Sequence, residues 1–277
     1  MARTRPPFTE KPVVGNLAQI ARELRLKLVE MSCQTKSPLS HDAISSCDLL
    51  VALYWQCLRI DPKYPDSPGR DRFICNHENA VTALYATLAK RGFFPLEELI
   101  HYGETDSRLP PQPLPGCVPG IEWACSSSAD GLSVGQGMAL AAQIQSQNFN
   151  VYVLLSDRTC QGGTAWEAVE LAPRLNLGNL TAIIQSYTKP VERPKSSTKT
   201  SLMAKWQSHG WAVREVDGHD ISAIADAIQS RRPDGVPVAI LANTTKGKGL
   251  SFVEDDAWQD RLCSNEDIEK TRKELSL

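Results

Sequence analysis

Asp157 stands just past an apolar run, Val151-Tyr152-Val153-Leu154-Leu155, and just before a helix-like pattern that opens near Gly163. A carboxylate at a strand end, with helix amides close behind, can hold Mg2+ against a diphosphate. The plainer use of an aspartate there is to cap the helix or close a turn. A second polar group, Gln185-Ser186-Tyr187-Thr188-Lys189, ends another apolar run. It offers oxygen ligands and an ammonium for phosphate, or serves only as a solvated loop. Lys246-Gly247-Lys248-Gly249 follows a third run, where backbone and lysines either touch a phosphate or form a surface turn.

The five histidines add little by themselves. Turn and cap chemistry explain His219 in Val216-Asp217-Gly218-His219-Asp220, while His41, His77 and His101 have no partner visible in the sequence. No Ser/His/Asp order, nucleophile elbow, G-x-G-x-x-G or Walker sequence is present, so standard hydrolase, kinase and dehydrogenase readings lack support. The eight cysteines show neither C-x-x-C nor a local C/H cluster, which argues for reduced thiols in or near a core rather than for zinc. Cys160 alone lies beside a candidate site, and a buried bystander is the simpler reading of it.

The elements that would carry these residues alternate. Apolar spacing predicts helices over about 16–31, 45–58, 76–90 and 95–100, and then a structureless stretch over 103–130. A small-residue helix at 134–147 follows, containing Gly135, Ala139 and Ala142, which suits close packing on a sheet. Beyond it come strands at 150–155, 180–185, 211–216 and 236–242. Helices at 163–173, 200–208 and 220–230 separate them, with a polar segment at 186–199. Such alternation predicts an α/β fold, a doubly wound parallel sheet flanked by helices. Ligands in such sheets sit outside the carboxyl ends of the strands, where Asp157, Ser186 and Tyr187 fall. Residues 1–14, rich in proline and charge, read as an N-terminal arm, and 15–277 as a single domain.

Bulk properties agree. The chain has 277 residues, is 42% hydrophobic and 22% charged, and carries a formal net charge of -2. Nothing there predicts nucleic acid or an anionic membrane as a partner. Neither a long apolar span nor the apolar core of a signal peptide is seen, so the expected location is cytoplasmic.

An ordered set of motifs resembles the N-terminal, diphosphate-binding half of transketolases. It comprises Arg70-Asp71-Arg72-Phe73, Ala83-Leu84-Tyr85-Ala86, Pro119-Gly120-Ile121-Glu122, Trp166-Glu167-Ala168 and Leu175-Asn176-Leu177-Gly178-Asn179-Leu180. Gly210-Trp211, Val216-Asp217-Gly218-His219-Asp220, Lys246-Gly247-Lys248-Gly249 and Ser251-Phe252-Val253-Glu254 complete it. The resemblance implies the thiamine-diphosphate-binding fold of the diphosphate-domain type, with thiamine diphosphate and Mg2+ as cofactors. It also implies a separate pyrimidine-binding, transketolase C-terminal-like partner chain, a heterotetramer of two such pairs, and transfer of a two-carbon or acyl unit.

Carried over residue by residue, the resemblance assigns Asp157 as metal ligand. It puts Asp130, Gly131, Arg158, Ser186, Tyr187 and Lys189 with it around the cofactor's diphosphate end. Several family features are altered. The family's Gly-Asp-Gly is Ser156-Asp157-Arg158, and its second metal ligand, an Asn, is Tyr187, a neutral phenol that suits Mg2+ poorly. Its Gln-Glu-Gly is Gln161-Gly162-Gly163, with Glu167 kept, and its glycine-rich loop is Ser126-Ser127-Ser128-Ala129-Asp130-Gly131. Four family histidines align with Leu39 or its neighbours, Asn79, Gln112 and Gln259. The last three would line the substrate channel as the catalytic positions. Amides can hydrogen-bond a substrate but cannot titrate as histidine does. The expected activity is therefore transketolase-like transfer on a non-standard small-molecule or carrier-bound substrate rather than ordinary sugar-phosphate chemistry. The alternatives are a non-catalytic scaffold that stabilises its partner, and the same cleft turned to cofactor-free chemistry through Arg158 and Lys189.

Overall fold

Buried β-branched and leucine residues dominate the central strands because both faces of the sheet are covered. In a computed structural model, which describes residues 16–124, 130–187, 199–230, 233–255, 258 and 261–277, five parallel strands form one sheet. They are β1 (Arg72–Asn76), β2 (Val151–Ser156), β3 (Leu180–Tyr187), β4 (Ala212–Asp217) and β5 (Val238–Thr244), in the order β1-β2-β3-β5-β4. The register sets Ser156 beside Gln185 and Tyr187 beside Thr244, so the polar strand ends converge.

Successive strand residues point to opposite faces. Phe73, Cys75, Tyr152, Leu154, Ile183 and Ile240 pack with α1 (Leu17–Thr35), α2 (His41–Ala52), α3 (Val81–Arg91) and α7 (Ile221–Gln229). Ile74, Val151, Val153, Leu155, Ile184 and Leu241 pack on the other side with α4 (Asp130–Ile144), α5 (Gly163–Arg174) and α6 (Lys199–Ser208). The chain steps in one direction from β1 to β4, which puts α4, α5 and α6 on one face. It steps back to β5, so α7 joins the opposite face at constant crossover handedness. A one-turn α8 (Ser251–Glu254) and α9 (Asn265–Leu275), the latter opened by a Ser264/Asp267 capping box, complete the chain.

The doubly wound parallel sheet expected from the sequence is present. The small residues of α4 serve as read: a Cβ on Gly135 would lie 2.6 Å from Val153 Cγ2, too close for any other residue without a shift. Four elements differ. The segment read as a helix from Asn76 contains the end of β1, a 3-10 turn (Glu78–Ala80) and then α3, because a five-residue strand buried on both faces shows no alternation. Helix α2 starts at His41, where the Ser40 hydroxyl accepts the Asp42 N–H, and closes in a π turn (Leu53–Cys57). The short fourth helix is a 3-10 turn (Leu96–His101), and α4 begins at Asp130 rather than Val134. Residues 102–124 carry no helix or strand, in keeping with the expected loop. The arm 1–14 lies outside the described residues.

Candidate functional site

Three strand ends and the first turn of α2 meet at one place. Asp157, directly after β2, accepts a hydrogen bond on Oδ2 from the Ser186 hydroxyl of β3 at 2.9 Å. One residue further along β3, the Tyr187 hydroxyl donates to Asp42 Oδ1. Asn79 Nδ2 donates to the other oxygen of Asp42 at 2.8 Å, and His77 Nε2 lies 3.9 Å from it. Behind them, the Ser46 hydroxyl donates to Gln185 Oε1 at 2.7 Å, tying α2 to β3.

His77 is 4% exposed, and burial pushes its imidazole below the usual histidine value against the opposing pull of Asp42, Asp157 and Glu78. The ring is neutral at pH 7 and can accept or donate without carrying charge. Cys160 is fully buried; burial and the Asp157 carboxylate push its thiol up, so it is an inert bystander.

Gly131 sits in the first turn of α4, where its N–H donates to Asn76 Oδ1 at 3.0 Å. A Cβ there would lie 2.6 Å from Asn76 Cβ, so glycine is required for α4 to reach the end of β1. Asp130, the first residue of α4, places a carboxylate at a helix N-terminus, where the exposed amides favour it.

Lys246 enters from the end of β5, its ammonium 5.5 Å from the centre of the Tyr187 ring, within cation–π range. The turn that carries it is clamped from below. Arg25 donates to both oxygens of Asp48 and, through Nε, to the Lys248 carbonyl at 2.8 Å. His219 Nδ1 lies 2.8 Å from Asp48 Oδ2, while its Nε2 accepts the Thr245 N–H at 2.8 Å, so the ring carries its proton on Nδ1. Burial alone would raise the Asp48 carboxyl, but the His219 bond and the Arg25 guanidinium outweigh it and hold it below the usual range. Gly247 adopts φ 64, and its Cβ would strike the Val253 backbone at 2.6 Å, so this turn also demands glycine.

The structure thus brings Asp157, Ser186, Tyr187 and Asn79 to one cluster. Arg158 is exposed immediately beside Asp157. Gln112 is exposed in the 102–124 loop, with no hydrogen bond to the cluster among the described residues, and Leu39 is buried in the core. Gln259, Lys189 and Ser126 to Ala129 lie outside the described residues. Sequence reasoning does not find Asp42, which lies 145 residues from Tyr187, nor the anchoring work of His219. The one available signal for Asp42 is its place two residues after an N-capping serine.

These side chains make a poor set for a divalent cation. Mg2+ asks for near-octahedral oxygens. Here one oxygen of Asp157 is engaged by Ser186, and the Tyr187 hydroxyl is committed to Asp42. Among the described residues no group of three or more His, Cys, Asp or Glu could hold a metal. For a diphosphate, by contrast, Lys246 and Arg158 supply positive charge at the strand ends.

A doubly wound α/β domain with a polar cluster at the carboxyl ends of its strands is the class these features define. The chain belongs to the transketolase family, whose "Transketolase, thiamine diphosphate binding domain" model matches residues 16–277. It is similar to one of the subunits of the apulose-4-phosphate transketolase of Actinobacillus succinogenes, with 31% identity over 94% of this chain and 95% of that protein. It is also similar to the 6-deoxy-6-sulfo-D-fructose transketolase subunit SqwG of a Clostridium species, with 35% identity over 76% of this chain and 78% of that one. Among solved structures, a transketolase variant of Pichia stipitis complexed with fructose 6-phosphate superposes with a TM-score of 0.85 at 25% identity. That match covers 95% of this chain and 41% of the Pichia chain. The transketolase of Leishmania mexicana gives the same TM-score, 0.85, at 22% identity, which speaks to the fold alone. The chain thus spans about two fifths of the solved transketolases it matches.

Proposed function

We propose that this chain is the diphosphate-binding half of a split transketolase-type transferase. It works with a separate pyrimidine-binding chain, as a heterotetramer of two pairs in the cytoplasm, on a substrate other than the ordinary sugar phosphates. The observation that carries the reading is the strand-end cluster of Asp157, Ser186, Tyr187, Asp42 and Asn79. It occupies the carboxyl edge where this fold takes its ligands. The near full-length match to a protein named as one subunit of a transketolase supports the two-chain arrangement. No described helix is long and apolar enough to cross a membrane.

Bound thiamine diphosphate supplies carbanion stabilisation. This chain's residues bind and orient. Lys246, Arg158, Ser186 and Asp130 with Gly131 serve the diphosphate end, to which the family resemblance also assigns Lys189. Asp157 keeps a carboxylate there as the one candidate side-chain metal ligand. Asn79, held by Asp42, presents its amide to the substrate, and the family resemblance assigns Gln112 and Gln259 to the same channel. None of these amides moves a proton, so proton transfer falls to the substrate, the cofactor or the partner chain.

The test is to reconstitute the chain with a pyrimidine-domain chain and thiamine diphosphate, and to follow two-carbon increments on a panel of aldehyde acceptors by mass spectrometry. Lys246→Gln combined with Asn79→Ala, which removes a cation from the strand ends and the amide held by Asp42, is expected to lower the increment strongly. A second reading rests on the closed Tyr187–Asp42 contact: a chain that only stabilises its partner. Full activity in that double variant would favour the scaffold.

A further inference from the structure

We infer that the anion site at the ends of β2, β3 and β5 neutralises a diphosphate with this chain's own cations, Lys246 and Arg158, and needs no divalent metal. The inference rests on the reading above that the ligand is thiamine diphosphate, and it concerns how that ligand is held.

Tyr187 stands where a second metal ligand would be needed, and its hydroxyl is already given to Asp42. Turning it toward an ion would leave Asp42 with Asn79 and a neutral His77 as its side-chain neighbours. Among the described residues Asp157 is the carboxylate that directly follows one of these strands, with Ser186 on one of its oxygens, while Asp42 is occupied by Tyr187 and Asn79. Together they are a sparse set for an ion that dehydrates reluctantly.

Compensating charge stands nearby. Lys246 lies over the Tyr187 ring, and Arg158 follows Asp157 directly; neither makes an ion pair among the described residues. Together they carry the charge of one Mg2+. Lys246 is also preorganised. Its turn is fixed by Gly247 N–H donating to Ser45 Oγ at 3.0 Å and by the buried Arg25, Asp48 and His219 network. A guanidinium adds donors shaped for phosphate oxygens, which a hydrated Mg2+ would otherwise present through water.

The experiment is calorimetric titration of the complex of this chain with a pyrimidine-domain chain, using thiamine diphosphate and inorganic diphosphate, in EDTA and in excess Mg2+. Equal affinity in the two buffers, within about threefold, is expected. In EDTA, Lys246→Gln should weaken binding by roughly tenfold, Arg158→Gln by less, and Lys246→Arg should retain most of it. Circular-dichroism melts confirm that each variant is folded. Tyr187→Asn, which adds an amide oxygen at the strand end, should introduce a Mg2+ dependence the native chain lacks. An affinity raised more than about tenfold by Mg2+ overturns the inference and leaves the proposed function standing. Lys246→Gln binding like the native chain also overturns it. Thiamine diphosphate binding in neither buffer overturns both.

Discussion

Arg25→Met removes the guanidinium that donates to both oxygens of Asp48 and to the Lys248 carbonyl. Methionine fills similar space, so the change tests charge and hydrogen bonding rather than volume. The side chains of Arg25 and Asp48 are only 6% and 8% exposed, which places the pair among buried rather than surface bridges. Breaking a buried pair by deleting one partner costs about 3–5 kcal/mol, because the other charge stays buried without compensation. His219 still donates to Asp48 after the change, so the loss should fall near the low end, about 3 kcal/mol. At roughly 2–4 °C per kcal/mol for a domain of this size, the melting temperature drops by about 6–12 °C. Urea unfolding reads it as a lower midpoint at unchanged slope. Diphosphate affinity should fall as well, since the Lys246 turn loses its tie to α1. A loss under about 1 kcal/mol would mean the pair behaves as a solvent-screened surface bridge, and the clamp argument would fail.

The remaining predictions concern other parts of the same frame. The Asp48 carboxyl is held below its ordinary value in the folded chain, so its contribution is complete above the unfolded value, about 3.9. It is lost as pH falls through the folded value; urea midpoints measured between about pH 6 and pH 3 should decline, and decline less in Arg25→Met. Gly131→Ala forces a Cβ into Asn76 and should cost about 1–3 kcal/mol, read as a lower urea midpoint together with weaker diphosphate binding. Cys160, buried and with its thiol pushed up, should resist alkylation in the folded chain at about pH 8 and react once urea unfolds it, as peptide mass mapping would reveal.

How much of the fold and site is legible in the sequence depends on the distance over which each signal acts. Strands β2, β3 and β5 announce themselves as apolar runs between helical patterns, β4 (Ala212–Asp217, with Arg214, Glu215 and Asp217) only by its place between two helices, and Asp157 is readable because it stops one of the runs. β1 is hidden: three apolar residues between Arg72 and Asn76 carry no period, and the helix that follows draws the boundary forward. Arg25 sits between Leu24 and Leu26 in α1, where periodicity records a charged residue and says nothing of its burial. The pairing of Tyr187 with Asp42 depends on α2 crossing the end of β3, a tertiary fact with no local trace. His219 reads as turn chemistry; its neighbour Asp220 does cap α7, while the imidazole reaches across to Asp48 and Thr245. The altered ligand set is visible in the sequence as a series of substitutions. Its meaning, a phenol engaged by a carboxylate beside an ammonium, needs the fold.

The measurement that bears most directly on the account is the titration of thiamine diphosphate into the complex of this chain with a pyrimidine-domain chain. The account predicts saturable binding, one cofactor per pair, weakened by Lys246→Gln and by Arg25→Met. Absence of binding at high cofactor concentration, with or without Mg2+, in a complex that is otherwise intact, would contradict it.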